Sequence, residues 1–209
     1  MRKKRVVISM DDKDYSAGLT HEIFWLQESR KTAELILEGK TKAEIKKIAW
    51  EENIYQVRAE YRAVEVLNST YRRLKNMPED ILRLFTTCDV TNAKLINLIA
   101  ILKDSRIFFE FMYEVYDEKL RLGDLEITDR DLNEFIKTKC EQSATVDSWS
   151  DSAQNKVKQV MCRMLHEADL LEDTKEPRKI RPAFVNFILA EALKKNDMEI
   201  YLNAIKGAR

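Results

Sequence analysis

Glycine and proline are scarce, four and three in 209 residues. A chain with so few turn-formers and helix breakers makes few tight turns, which disfavours β-sandwiches and glycine-rich nucleotide folds. The sequence has no Gly-x-x-x-x-Gly-Lys phosphate loop, no Gly-x-Ser-x-Gly elbow and no dinucleotide fingerprint. Cys88, Cys140 and Cys162 are widely spaced and form no Cys-x-x-Cys pair, so buried thiols in a reducing cytoplasm are expected rather than a zinc or redox site. There are only two histidines. His21-Glu22 and His166-Glu167 begin like His-Glu-x-x-His, but Trp25 and Leu170 stand where the second metal ligand must be. Asp129-x-Asp131-x-Asn133 begins like a calcium loop, yet Glu134 replaces the bend glycine and Cys140 the bidentate glutamate, so it reads as a helix start. No metal, no cofactor and no catalytic residues are expected. An enzyme would need a cluster of carboxylates whose surroundings the sequence does not reveal.

Net charge is absent as well: 36 Lys and Arg balance 36 Asp and Glu. The longest oily run, Leu95 to Leu102, is interrupted by Asn97 and falls far short of the ~20 residues that span a bilayer. The start, MRKKRVVISMDD, has too short an apolar stretch for a signal peptide. A cytoplasmic protein without membrane contact is the expectation.

What is present is 44% hydrophobic and 34% charged residues, the composition of packed helices with solvated faces. The fold class expected is mainly α: a compact multi-helix protein with a helix-turn-helix-like unit at its amino-terminal end and a winged-helix-like unit with one short β-hairpin at its carboxy-terminal end. Four parts are read along the chain. They are a basic flexible tail over 1–14, the helix-turn-helix-like unit over 15–77, central hydrophobic helices over 78–123 and the winged-helix-like unit over 124–209. In the first unit Thr20 caps a helix that ends near Gly39. Thr41 with Glu44 then forms a capping box, and a long helix follows from about Tyr55 to Lys75. In the centre, the helix carrying Ile107, Phe108, Phe109, Phe111, Met112 and Tyr116 is apolar nearly all round and belongs in the core rather than in a base-stacking platform. Thr128 caps the next helix, a further helix runs from about Ser150 to Ala168, and a hairpin turns at Pro177. The last long helix spans about Pro182 to Lys195, followed by a short terminal one.

Both outer units carry basic stripes. On the helix from Tyr55, Arg58, Arg62, Ser69, Arg72 and Arg73 fall beside the core face, and arginine's planar fork suits phosphates and guanine edges. After Trp149, Lys156, Gln159 and Arg163 share an outer stripe with Ser152, and the hairpin presents Lys175, Arg178, Lys179 and Arg181. From Ser29 to Lys75 there are eleven Lys or Arg against seven Asp or Glu, and from Asp104 to Asp147 six against twelve. A basic end beside an acidic middle fits a DNA-facing surface and a partner-facing one. The stripes are rich in Arg and Lys and short of the Asn and Gln suited to adenine, so phosphate contacts with weak sequence preference are expected.

The blocks YSAGLT at Tyr15, EENIYQVRAEYRA at Glu51, INLIAILKDSRIFFEFMYEVYDEKL at Ile96, ITDRDLNEFIKTKCEQS at Ile127 and DSWSDSAQNKVKQVMCRMLHEADLL at Asp147 resemble the BrxA family of BREX (bacteriophage exclusion) defence systems. The resemblance covers about Tyr15 to Ala204. It implies a mainly helical, non-catalytic cytoplasmic protein that binds double-stranded DNA and works beside a BREX methyltransferase, a phosphatase-like protein and an ATPase. Where the family pattern has Arg-Ser early in the second helix of the first unit, this chain has Arg58-Ala59, which removes one phosphate-binding hydroxyl. The alternative is a protein-interaction scaffold that assembles other defence subunits without touching DNA. A homo-oligomer is compatible with either, because an exposed apolar face and a core face look alike in sequence.

Overall fold

The computed structural model describes residues 14–207. Of the basic tail expected over 1–14, only Asp14 falls within that range. The chain is mainly helical, as expected. A 3-10 turn (Ala17–His21) is followed by an extended segment and then α1 (Leu26–Leu37), α2 (Lys42–Glu51) and α3 (Glu60–Leu74). Next come α4 (Glu79–Thr87), α5 (Val90–Asp104), α6 (Arg106–Phe111), one π turn (Met112–Tyr116) and α7 (Asp117–Leu122). Strand β1 (Glu126–Ile127) leads into α8 (Asp129–Gln142), α9 (Ala144–Asp147) and α10 (Asp151–Glu167). Strand β2 (Arg178–Lys179), α11 (Phe187–Lys195) and α12 (Glu199–Lys206) complete the order.

The capping box at Thr41 forms where the sequence places it, and the cap expected at Thr128 proves to be a second box. Thr41 accepts from the Glu44 amide while the Glu44 carboxylate accepts from the Thr41 amide at 2.8 Å, and Thr128 and Asp131 repeat the exchange at α8. Each satisfies amide donors that a helix start leaves unpaired. Thr41→Ala is expected to destabilise the fold by about 1 kcal/mol in a denaturation titration.

Three expectations about helix starts are corrected. Thr20 caps nothing; it lies inside the 3-10 turn and donates to the Ala17 carbonyl, and α1 starts only after Trp25, whose φ of 48° breaks the ladder. The long helix starts at Glu60 rather than Tyr55, because Asn53 and Gln56 sit at positive φ and the Val57 amide donates to the Asn53 side chain at 2.9 Å. The last long helix starts at Phe187, where Asn186 caps it, and 182–186 is not helical. The break at Asp104-Ser105 falls as expected, between α5 and α6.

The main core is built on α5 and α6. In α5 every residue from Leu95 to Leu102 is buried, and around α6 so are Ile107, Phe108, Phe109, Phe111 and Met112. The aromatic residues serve the core as read: Phe111 meets Phe135 of α8 edge-on at 5.3 Å, and Phe109 meets Tyr201 of α12 at 5.2 Å. A smaller cluster of Ile45, Ala49, Tyr55, Ala63, Val66 and Leu67 holds α2 against α3. Asn97, the polar break in the oily run, is fully buried and its amide donates to the Phe24 carbonyl at 2.6 Å. It fastens the non-helical segment before α1, whose carbonyl would otherwise be buried without a donor.

At the carboxy-terminal end the hairpin forms as a bridge between Leu171 and Ile180, with the Glu172 amide donating to the Lys179 carbonyl at 2.9 Å. Strand β1 adds to its outer arm: Glu126 pairs with Lys179 and Ile127 with Arg178, antiparallel. The element order there is strand, α8, the one-turn α9, α10 and hairpin, with the hairpin loop folded back beside α8 and α10.

Candidate nucleic-acid interface

The amino-terminal stripe divides by burial. Arg58 is exposed in the loop before α3, and Arg62 is exposed on its first turn, with Glu65 at 2.6 Å as its partner. Ser69, Arg72 and Arg73 turn instead toward Glu22, the residue after the 3-10 turn. All three donate to its carboxylate; Arg73 also reaches the Ile23 carbonyl at 2.9 Å and Arg72 reaches Asp104 at 2.8 Å. The Arg73 side chain is 1% exposed. Ser69 and Arg73 are therefore removed from the surface stripe on which the sequence placed them. A helical wheel ranks positions by angle, and these two lie at the edge that the extended segment covers. Arg72 keeps a partly exposed guanidinium held by two carboxylates.

Glu22 is the hub of this arrangement. Burial works to raise its pKa, but Arg73, Ser69 and Arg72 outweigh it and hold the carboxyl below the usual range. Burial pulls Arg73 downward more strongly than Glu22 pulls it up, yet a guanidinium starts so high that it stays charged. The Glu22 backbone carbonyl accepts from Arg163 of α10 at 2.6 Å, so one residue ties α3 to α10.

The carboxy-terminal residues converge on an open groove of about 810 Å³. Its walls are the start of α8, the outer face of α10 and the loop from Thr174 to Arg178. Lys156, Gln159, Arg163, Lys175 and Arg178 all line it. Arg178 acts as the pin of the loop: it is 9% exposed and donates to the Thr174 carbonyl at 2.9 Å and to Asp129 at 2.7 Å. The side chains of Lys156, Gln159 and Lys175 are exposed and have no protein partner among the described residues. Strand alternation sends neighbouring residues to opposite faces, so Lys179 and Arg181 leave the groove to Arg178. They are exposed elsewhere, Arg181 with Glu172 at 3.8 Å.

The sequence stripes missed three groove residues. Asn155 and Lys158 lie on α10 beside the stripe, and Asn133 of α8 accepts from Lys158 at 2.5 Å. The i, i+4 relation of Asn155 and Gln159 was readable, but the part played by α8 needed the helix packing. Cys162 also lines the groove, and burial pushes its thiol up to about 11, which leaves it protonated and a poor nucleophile. Among the described residues no group of three or more His, Cys, Asp or Glu side chains is placed to hold a metal ion. No helix there is long and apolar enough to cross a membrane.

Comparison with known proteins decides the family. The family model for BrxA matches residues 13–197 of this chain. The chain belongs to the BrxA family. It is 37% identical over 180 residues to the BREX protein BrxA of Bacillus cereus (strain H3081.97), covering 86% of this chain and 90% of that protein. The crystal structure of an uncharacterized protein from Magnetospirillum magneticum has the same fold, with a TM-score of 0.80 at 21% identity, over 93% of this chain and all of that one. The family match runs from the segment that carries Glu22 through the groove to α11.

Proposed function

We propose that this member of the BrxA family is a non-catalytic, double-stranded DNA-binding accessory protein of a BREX phage-defence system in the cytoplasm. It grips mainly phosphates and has weak sequence preference. The observation that carries the reading is the groove beside α10, where five Lys or Arg side chains face two acids, Asp129 and Glu176. Lys156 and Lys175 are the phosphate ligands on its two walls, Gln159 lies between them, and Arg178 fixes the loop. The order of strand, α8, α9, α10 and hairpin suits a winged helix, with α10 set to enter the major groove. Arg58 and Arg62 supply a second contact at the start of α3. The methyltransferase, phosphatase-like protein and ATPase of the system are the protein partners of this reading.

Fluorescence anisotropy with a labelled random-sequence duplex tests it. Affinity is expected to fall steeply from low to near-physiological salt, with a log-log slope of ~0.9 per phosphate neutralised. Arg58→Ala/Arg62→Ala is expected to lower that slope without changing stability, because both side chains are exposed. Absence of binding by the folded protein at low salt would overturn the reading and leave the scaffold role in its place.

A further inference from the structure

The outer stripe of α10 is basic at its edges, but the centre of its exposed face carries no charge. Ser152, Asn155 and Gln159 are exposed and have no protein partner among the described residues. At ~100° per residue, Ser152 and Gln159 lie ~20° apart, with Asn155 ~40° to one side of Gln159. Lys156 stands ~60° to the other side of Gln159, and Lys158 lies ~100° away, beyond Asn155. Val157, Val160, Met161, Met164 and Leu165 are buried on the opposite side of the helix. Asn155, Lys156, Lys158 and Gln159 all line the groove, so two amides are set between two lysines.

We infer that Asn155 and Gln159 read adenine in the major groove, adding a short base preference to the phosphate grip. The inference rests on the DNA-binding reading above and names what its recognition helix selects. A helix seated in the major groove turns the centre of its exposed face to the base edges and its flanks to the phosphate backbones. Residues toward its amino-terminal end make the base contacts. Asn155 falls in the second turn and Gln159 in the third turn of the 17-residue α10. A side-chain amide offers an acceptor oxygen and a donor NH2 side by side. Adenine presents the matching pair, the N6 donor and the N7 acceptor. Guanine presents two acceptors, N7 and O6, and sets one of them against the amide oxygen. Selection comes from that mismatch, because a desolvated acceptor left without a donor costs free energy.

The spacing of the two amides sets the site. Four residues of helix rise ~6 Å, close to the ~7 Å of two stacked base-pair steps. Asn155 and Gln159 therefore meet adenines with one base pair between them. At about tenfold per adenine, the pair gives roughly a hundredfold, below the ~10³–10⁷ by which dedicated sequence-specific proteins exceed their own non-specific binding. The preference is weak because only two positions carry it.

Selection of bound duplexes from a random-sequence pool tests the inference, with anisotropy on the random duplex as the separate measure of DNA binding. The wild type is expected to enrich adenine at two positions separated by one base pair. Replacing those adenines with 7-deazaadenine, which lacks the N7 acceptor, should weaken binding at least about tenfold. Asn155→Ala/Gln159→Ala should bind the two duplexes equally and keep the wild-type salt slope and circular dichroism, because both side chains are neutral and exposed. Lys156→Ala/Lys175→Ala should do the reverse, binding every duplex more weakly while still enriching adenine. A wild type that binds the random duplex without enriching adenine would overturn the inference and leave the DNA-binding reading intact. Enrichment that persists in Asn155→Ala/Gln159→Ala would overturn it too. A folded wild type that binds no duplex at low salt would overturn both.

Discussion

Glu22→Ala is expected to destabilise the fold by about 3–5 kcal/mol, the cost of leaving a buried charge without its partner. The stranded group is Arg73, 1% exposed, which keeps the Ile23 carbonyl at 2.9 Å and the more distant charge of Asp104 once the carboxylate is gone. Ser69 and Arg72 lose a partner in the same step. Chemical denaturation of wild type and variant measures the difference. Its pH dependence has a definite sign. The Glu22 carboxyl is held below its usual range in the folded protein, so its contribution is full above the unfolded value of ~4.3 and is lost as pH falls through the folded one. The gap between wild type and variant should therefore close on acidification. A gap under 1 kcal/mol at neutral pH would mean that water or another acceptor satisfies Arg73, and would deny Glu22 its role as a hub.

Lys156→Ala/Lys175→Ala is expected to weaken duplex binding by about a hundredfold at low salt, at ~1.5 kcal/mol for each charge-assisted contact. The salt slope should fall by roughly 1.8. Both side chains are exposed, without a protein partner among the described residues, so thermal stability should stay within about 0.5 kcal/mol of wild type. The comparison that locates the site is Lys179→Ala/Arg181→Ala. It removes the same charge from the hairpin but outside the groove, and should cost less than about tenfold. Equal losses from the two pairs would show that general basic charge, rather than the groove, carries binding.

The two sets of residues explain each other. Arg163 lines the groove yet donates to the Glu22 carbonyl, and the Glu22 side chain gathers the α3 cations. The segment between the 3-10 turn and α1 thus fixes α10 against α3.

The readings that survived unchanged rest on local physics. Thr41 with Glu44 could be read as a capping box and Thr128 as a cap because such contacts close within four residues. The apolar run from Ile107 to Met112 announced the core, since no amphipathic surface helix is oily all round. The start of α3 was misplaced because positive φ at Gln56, unlike that at Asn53, leaves no strong sign in the sequence. Thr20 looked like a cap because its distance from the oily stretch was right, and only the backbone at Trp25 moved the helix away from it.

What the sequence determined by itself was the mainly helical class, the capped helix starts, the apolar centre, the hairpin near Pro177 and the resemblance that the family comparison bears out. Each depends on residue type or on spacing within a few turns. What only the tertiary structure decided was which cations are exposed. Arg73 and Arg62 belong to one stripe by sequence, but an extended segment 50 residues away in the chain buries the first and leaves the second in solvent. Packing likewise placed Asn133 in the groove, sent Lys179 and Arg181 outside it, and left Phe184, Phe187 and Ile188 uncovered. Burial depends on what lies opposite a face, and helical periodicity records only the face.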